Sequence, residues 1–234
     1  MAVADVFGYH ALQLGLPELD GLRANRMPHR WLALDGADTA ASGVAPAGVA
    51  LVTDFAALPF AAGSLDLVVL PHSLDLHLDP HATLREVERV LVPEGRVVIC
   101  GFNPYSLWGF RQCRDDWLRR LGSGGEDFLP ATSERIGYWR LRDWLRLLSF
   151  EVESGQFGCY RLAVRSARWL QRLAWMDNSG DRWWPILGAA YLVVAVKRVR
   201  GMKLLEAGWK PAPLAANAPV PVANRARPWR APLE

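Results

Sequence analysis

Cysteine is scarce in this 234-residue chain: Cys100, Cys113 and Cys159 are the only three, and none forms a C-x-x-C pair. That excludes a disulfide framework and a zinc ribbon, and it fits a reducing compartment, so a cytoplasmic protein is expected. Long apolar runs are missing too. The longest, Trp183 to Val196, is interrupted by Pro185 and Gly188, whereas a bilayer span needs roughly 20 apolar residues. The first residues lack a basic start and an apolar core, so no leader is expected. No internal repeat is visible. No lysine-rich run or recognised nucleic-acid motif occurs, which argues against nucleic acid as a partner. An NAD-dependent dehydrogenase is excluded by the absence of G-x-G-x-x-G and of a Tyr-x-x-x-Lys pair.

What is present is enough for one domain with a full core: 51% hydrophobic and 22% charged residues. The net charge of +3 hides a split. Residues 1–105 hold six Lys and Arg against twelve Asp and Glu, with Trp31 as the only tryptophan. Residues 106–234 hold twenty-one against twelve, with the other ten. From Ala207 onward six prolines and few large aliphatics predict a disordered tail over 207–234.

Between the ends, short apolar runs alternate with helical patterns, which predicts an α/β fold with a mostly parallel sheet. The runs are His10–Leu14, Trp31–Leu34, Gly48–Thr53, Leu65–Leu70 and Arg96–Gly101. Most are apolar at successive positions, as strands buried on both faces must be. Asp79 and Pro80 read as the N-cap and first residue of a helix carrying Leu84, Val87, Val90 and Leu91. Pro93-Glu94-Gly95 should turn that helix into the next strand. A second helical pattern, Leu141–Leu148, leads into a strand at Phe150–Glu153, and Ala189–Val196 makes a seventh.

In such a sheet, ligands bind beyond the carboxyl ends of the strands. Asp35, twenty residues after Gly15, has the spacing of a ribose-binding carboxylate. Asp54 follows the third strand and could accept from an exocyclic amine.

Leu12-Gln13-Leu14-Gly15, Asp54 to Phe60 (DFAALPF), Ser64 to Val69 (SLDLVV) and Leu84 to Gly95 (LREVERVLVPEG) resemble the successive motifs of class I S-adenosylmethionine-dependent methyltransferases of the type 11 group. Gly101 to Gly109 (GFNPYSLWG) further resembles a small bacterial subgroup. The resemblance covers about residues 8–200. It implies a Rossmann-like seven-stranded sheet with an antiparallel last strand and helices on both faces, and S-adenosyl-L-methionine as cofactor. It assigns ribose to Asp35 and adenine to Asp54 with the backbone at Phe55 and Ala56. Gln13, Gly15 and Leu70 complete the implied cofactor residues.

One departure stands out. The family's glycine-rich turn is here Gln13-Leu14-Gly15-Leu16-Pro17-Glu18-Leu19, with one glycine, and Pro17 has no N–H to present. Gln13 stands where a carboxylate would meet the ammonium of the methionine part. Gly21 and Pro28 interrupt the helix that should follow. The alternative reading is therefore a catalytically degenerate binding or regulatory module.

His72, His77 and His81 have a spacing that invites a metal site, but three local geometries argue against convergence, and no metal is assigned. His72 follows the fourth strand, where a neutral imidazole could take a proton from a substrate. Asn103 and Tyr105, after the fifth strand, are further substrate-side candidates. Cys100 reads as a small buried apolar residue. Residues 102–148 and 157–188, rich in Arg and Trp, are expected to cover the pocket within a domain spanning 1–206. Trp108, Trp117, Trp139, Trp169, Trp175, Trp183 and Trp184 would roof it. Leu162, Trp169, Leu170 and Leu173 would pack as a helix stripe, with Arg165, Arg168 and Arg172 solvated. The acceptor implied is a small molecule or lipid-like compound, aromatic, acyl or anionic, with peripheral membrane contact as a further expectation.

Overall fold

The middle strand explains the architecture. Leu65–Pro71 (β4) is buried along most of its length on both faces, so it must sit inside a sheet with cover on each side. A computed structural model describes residues 3–36, 48–121, 135–161 and 167–199, except 174, 177–179, 181 and 183. The expected tail, together with Leu162, Arg165, Trp183 and the side chains of Trp169 and Leu170, lies outside the described residues.

Seven strands form one sheet in the order β3-β2-β1-β4-β5-β7-β6. They are β1 His10–Leu14, β2 His29–Leu34, β3 Leu51–Val52, β4, β5 Leu91–Phe102, β6 Phe150–Gly158 and β7 Ala190–Lys197. Strands β1 to β5 pair in parallel, and β7 is antiparallel to both β5 and β6. This is the fold expected from the sequence. Five α-helical segments are described: α1 Ser73–Leu76, α2 Pro80–Val90, α3 Leu107–Arg120, α4 Tyr138–Leu147 and α5 Ala167–Arg172.

Successive residues of β1 serve different cores. Leu12 and Leu14 join Val68, Leu70, Val97 and Ile99 under Leu84 and Val87 of α2 and Leu141 and Leu145 of α4. Ala11, with Leu67, Val69 and Val98, faces the other way, against Val6, Leu22 and Met27. Turns, not a helix, occupy residues 17–24 between β1 and β2.

The conspicuous motifs of the first half tie loops to this frame. Asp79 caps α2, its carboxylate accepting from Ala82 N–H at 2.9 Å, with Pro80 behind it. On α2, Glu86 and Arg89 pair at 2.9 Å. Glu86 accepts from Leu58 N–H at 3.0 Å, and Arg89 donates to the carbonyls of Leu58 and Phe60, each at 2.9 Å. That clasp fixes the chain leaving Asp54. Asp66 accepts from the N–H groups of Tyr9 and His10 at 2.8 and 2.9 Å and so starts β1 beside β4.

Candidate functional site

The carboxyl ends of β1, β2, β3 and β4 meet around His77. Its ring is held from one side, where Asp79 N–H donates to Nδ1 at 3.2 Å and Thr83 Oγ1 lies 3.3 Å away. In that tautomer Nε2 carries the hydrogen. Nε2 lies 3.1 Å from Asp35 Oδ2 and 3.7 Å from Asp54 Oδ1. The ring also stacks on Phe55, centroids 5.6 Å apart. The two acids chosen from strand ends therefore converge on one planar group of nucleobase-like chemistry, contributed by the chain itself. Asp54 stays 65% exposed and also accepts from Ala56 N–H at 2.8 Å, closing its own turn.

Gly15 turns the chain after β1 with φ +78°, and a Cβ there would stand 3.1 Å from Ser73 Oγ. Ser73 Oγ in turn donates to Leu14 carbonyl. Glycine is required by that close approach. Gln13 is buried and wholly engaged in the same turn. Its amide donates to the carbonyls of Gly15, Leu16 and Leu19 at 3.2, 3.1 and 2.6 Å, and its oxygen accepts from Gly21 N–H at 2.9 Å. The residue expected to meet an ammonium instead builds the loop. Leu70 is fully buried in the core, so only its backbone can face a ligand. A cleft of about 320 Å³ opens beside β2, between Pro17, Leu19 and Leu22 on one side and Arg30 and Leu32 on the other.

A second cluster lies at the ends of β4 and β5. His72, in a left-handed conformation (φ 56°), stacks on Phe102 at 4.1 Å. Its Nδ1 lies 3.4 Å from Asp75 Oδ2 and its Nε2 3.4 Å from Cys100 Sγ. Burial disfavours its charge, but hydrogen bonds to Asp75 and Cys100, and their charges, outweigh that and push it up to about 9. His72 thus holds a proton more readily than a free imidazole does, whereas a neutral proton acceptor was expected there. Asp75 is buried to 1% exposure and also accepts from Phe102 N–H at 2.9 Å. Sequence reasoning treated Cys100 as filler and met Asp75 only among the histidines of the rejected metal site. The signal was there in a His and a Cys ending adjacent parallel strands.

Asn103 spends its side chain on structure. Nδ2 donates to the carbonyls of Ile186 and Gly188 at 2.7 and 2.9 Å, and Oδ1 accepts from Tyr105 N–H at 3.1 Å. Tyr105 itself is 69% exposed. The three histidines go separate ways: His72 to Cys100 and Phe102, His77 to Asp35, and His81 onto Trp144 at 3.7 Å. Among the described residues no group of His, Cys, Asp and Glu could hold a metal ion. No described helix is long and apolar enough to cross a membrane.

The segments after β5 and before β7 leave the sheet at this same edge, since Phe102 pairs with Ala190. Trp108 Nε1 donates to Arg161 carbonyl at 2.5 Å, linking the two. Trp117, Trp139, Trp175 and Trp184 are all more than half exposed.

Residues 24–99 match the methyltransferase domain family. A SAM-dependent methyltransferase from Archaeoglobus fulgidus superposes with a TM-score of 0.54 at 18% identity, covering 81% of this chain and 86% of that one. The Haloferax volcanii structure of the Trm112 methyltransferase activator complex gives 0.54 at 18%, covering 86% and 88%. The fold is that of the class I S-adenosylmethionine-dependent methyltransferases. An uncharacterized Escherichia coli K12 protein, YafS, is 37% identical over 144 residues, 60% of this chain. That match spans about half of YafS, 52% of its length. S-adenosylmethionine is the cofactor named for the superposed Archaeoglobus fulgidus methyltransferase.

The residues fit that cofactor at one end. Asp35 and Asp54, brought together on a single ring, suit the ribose and adenine of a nucleoside. The methionine end is different: Gln13 has no amide group to spare, and Pro17 offers no N–H.

Proposed function

We propose that this chain transfers a methyl group from S-adenosylmethionine to an amphiphilic acceptor at the carboxyl ends of β4 and β5. The observation that carries the reading is the convergence of Asp35 and Asp54 on one ring at the strand ends of this fold. Asp35 would hold the ribose hydroxyls, while Asp54 and the backbone at Phe55 and Ala56 would hold adenine. The cofactor supplies a methyl group already activated by its sulfonium, so the protein's contribution is alignment and exclusion of water. Asp35 and His77 must part for the ribose to be held, which makes His77 a displaceable occupant of the nucleoside cradle.

The outer face of α3 bears on the acceptor class. Leu107, Phe110, Trp117 and Leu121 at its end are 44%, 74%, 60% and 62% exposed, and their spacing puts them on one helical face. Arg114 falls on that face by the same spacing and pairs with Asp115 at 2.9 Å, whereas Gly109, Gln112 and Asp115 are buried. An outward apolar stripe with arginine suits an anionic membrane surface, from which a lipid-like or acyl acceptor could be drawn. Tyr105, exposed at the start of this segment, is then a substrate-side residue. The second reading, a binding module that has lost catalysis, is favoured by the Gln13 loop alone.

Native mass spectrometry of the purified chain with added S-adenosylhomocysteine or with adenosine tests the reading. A one-to-one adduct with both compounds supports it. Absence of any adduct with S-adenosylhomocysteine at millimolar concentration overturns it.

A further inference from the structure

We propose that Cys100, His72 and Asp75 form a nucleophilic thiolate site that adds to conjugated carbonyl compounds. The site lies at the ends of β4 and β5, where the methyl acceptor is placed, and uses none of the residues of the nucleoside cradle.

The geometry has the order that an activated nucleophile requires: a thiol, a base within reach, and a carboxylate orienting the base. Cys100 Sγ lies 3.4 Å from His72 Nε2, and His72 Nδ1 lies 3.4 Å from Asp75 Oδ2. Each member is fixed by the fold. Cys100 is paired with Pro71 in the parallel register, and His72 N–H donates to Cys100 carbonyl at 2.8 Å. Asp75 is locked by Phe102 N–H, and Phe102 stacks on the imidazole to fix its plane. Cys100 is partly buried, whereas Cys113 and Cys159 are exposed.

The imidazole 3.4 Å from the sulfur is placed to take the thiol proton, and a thiolate beside a cation is the reactive form of cysteine. Tyr191 is the other titratable group nearby. Burial, then the charges of Asp75 and Cys100, push its phenol far above its ordinary range, so it stays neutral. Its hydroxyl donates to Ile136 carbonyl at 2.8 Å and does not compete for Cys100. The left-handed backbone of His72, rare for a residue with a side chain, is the kind of strain that collects at working sites.

The substrate class follows from what the cluster supplies. Acyl transfer needs amide donors for an oxyanion, and Phe102 N–H is committed to Asp75. Conjugate addition needs one thiolate and one acid. The Cys100 electron pair forms a carbon–sulfur bond at the β-carbon, and the double-bond pair moves toward the carbonyl as an enolate. The His72 imidazolium then delivers its proton to that enolate, leaving a thioether and a neutral imidazole. No oxidant or further reactant is consumed.

N-ethylmaleimide, itself a conjugated carbonyl compound, is the probe, with peptide mass spectrometry reading each cysteine in the full chain between pH 6 and 8. Cys113, exposed on α3, is the internal reference and should react about tenfold faster per pH unit. Cys100 should react at a rate that changes less than about twofold over the whole range. In His72→Gln, Cys100 should regain the steep dependence and slow at least about tenfold at pH 6. A tenfold-per-unit dependence at Cys100 in the unaltered chain overturns the proposal. So does an unchanged flat profile in a His72→Gln variant that keeps the native near-ultraviolet dichroism. A Cys113→Ser/Cys159→Ser chain leaves Cys100 as the sole thiol with the cluster intact. Its pH profile decides the matter even where His72→Gln fails to fold. S-adenosylmethionine is absent from every arm, so the result is independent of methyl transfer.

Discussion

His77 Nε2 lies 3.1 Å from Asp35 Oδ2, inside the cradle where a ribose would be held. The contact gives the first prediction. A ligand that uses Asp35 must first replace a hydrogen bond to a charged acceptor, worth about 1.5–3 kcal/mol. His77→Ala should therefore tighten S-adenosylhomocysteine binding about tenfold by calorimetry. Weaker binding would mean that His77 helps to hold the nucleoside.

Gln13 gives the second. Gln13→Glu restores the carboxylate of the family's turn, but it would set a negative charge against the carbonyls of Gly15, Leu16 and Leu19. The expected cost is about 3 kcal/mol, read as a lower urea midpoint with unchanged m. Gln13→Ala leaves the carbonyls of Gly15 and Leu16 without the Gln13 amide and should cost about 2 kcal/mol. A Glu variant as stable as the parent would contradict the reading of Gln13 as the centre of the loop.

The third prediction concerns pH. His72 is raised from 6.5 to about 9 in the folded chain, so the folded state binds the extra proton in that window. Its contribution is complete below about 6.5 and is lost as pH rises through about 9. The stability difference between the parent and His72→Gln should shrink over that interval. The ring-proton resonance of His72 should titrate near 9, and in Asp75→Asn it should move down toward 6.5. A midpoint near 6.5 in the parent would contradict the charge assignment.

For α3, Phe110→Ser/Trp117→Ser should weaken co-sedimentation with phosphatidylglycerol vesicles at least about fivefold. Vesicles of phosphatidylcholine alone should bind the parent poorly. Equal binding by both proteins would remove the membrane from the account.

Much of the frame was legible because burial on two faces writes itself as continuous apolar sequence. β1 has the bounds read from the pattern, and Asp79-Pro80 marked the start of α2. Edges and extensions were less legible. β6 runs on from Glu153 to Gly158: Ser154, Gly155 and Gln156 are exposed and held by pairing with β7, and Phe157 packs against the core. β2 begins at His29, whose ring stacks with those of His10 and Trp31. β3 shrinks to Leu51–Val52.

At the site, Asp35 and Asp54 could be chosen because strand ends are visible in sequence. The partner that joins them, His77, sits in a short loop with no periodicity to place it. Cys100 and His72 are twenty-eight residues apart, and only the pairing of Pro71 with Cys100 makes them neighbours. Asn103 looked chemical because of its place after β5. Two of its three hydrogen bonds depend on the position of residues 186–188, which local sequence does not encode.

The central claim is that Asp35 and Asp54 form a nucleoside cradle. It is tested most directly by calorimetry of S-adenosylhomocysteine binding to the parent, Asp35→Ala and Asp54→Ala. Saturable binding by the parent, weakened at least about tenfold by Asp35→Ala and less by the exposed Asp54→Ala, is the predicted result. Binding of equal strength in all three proteins would contradict it.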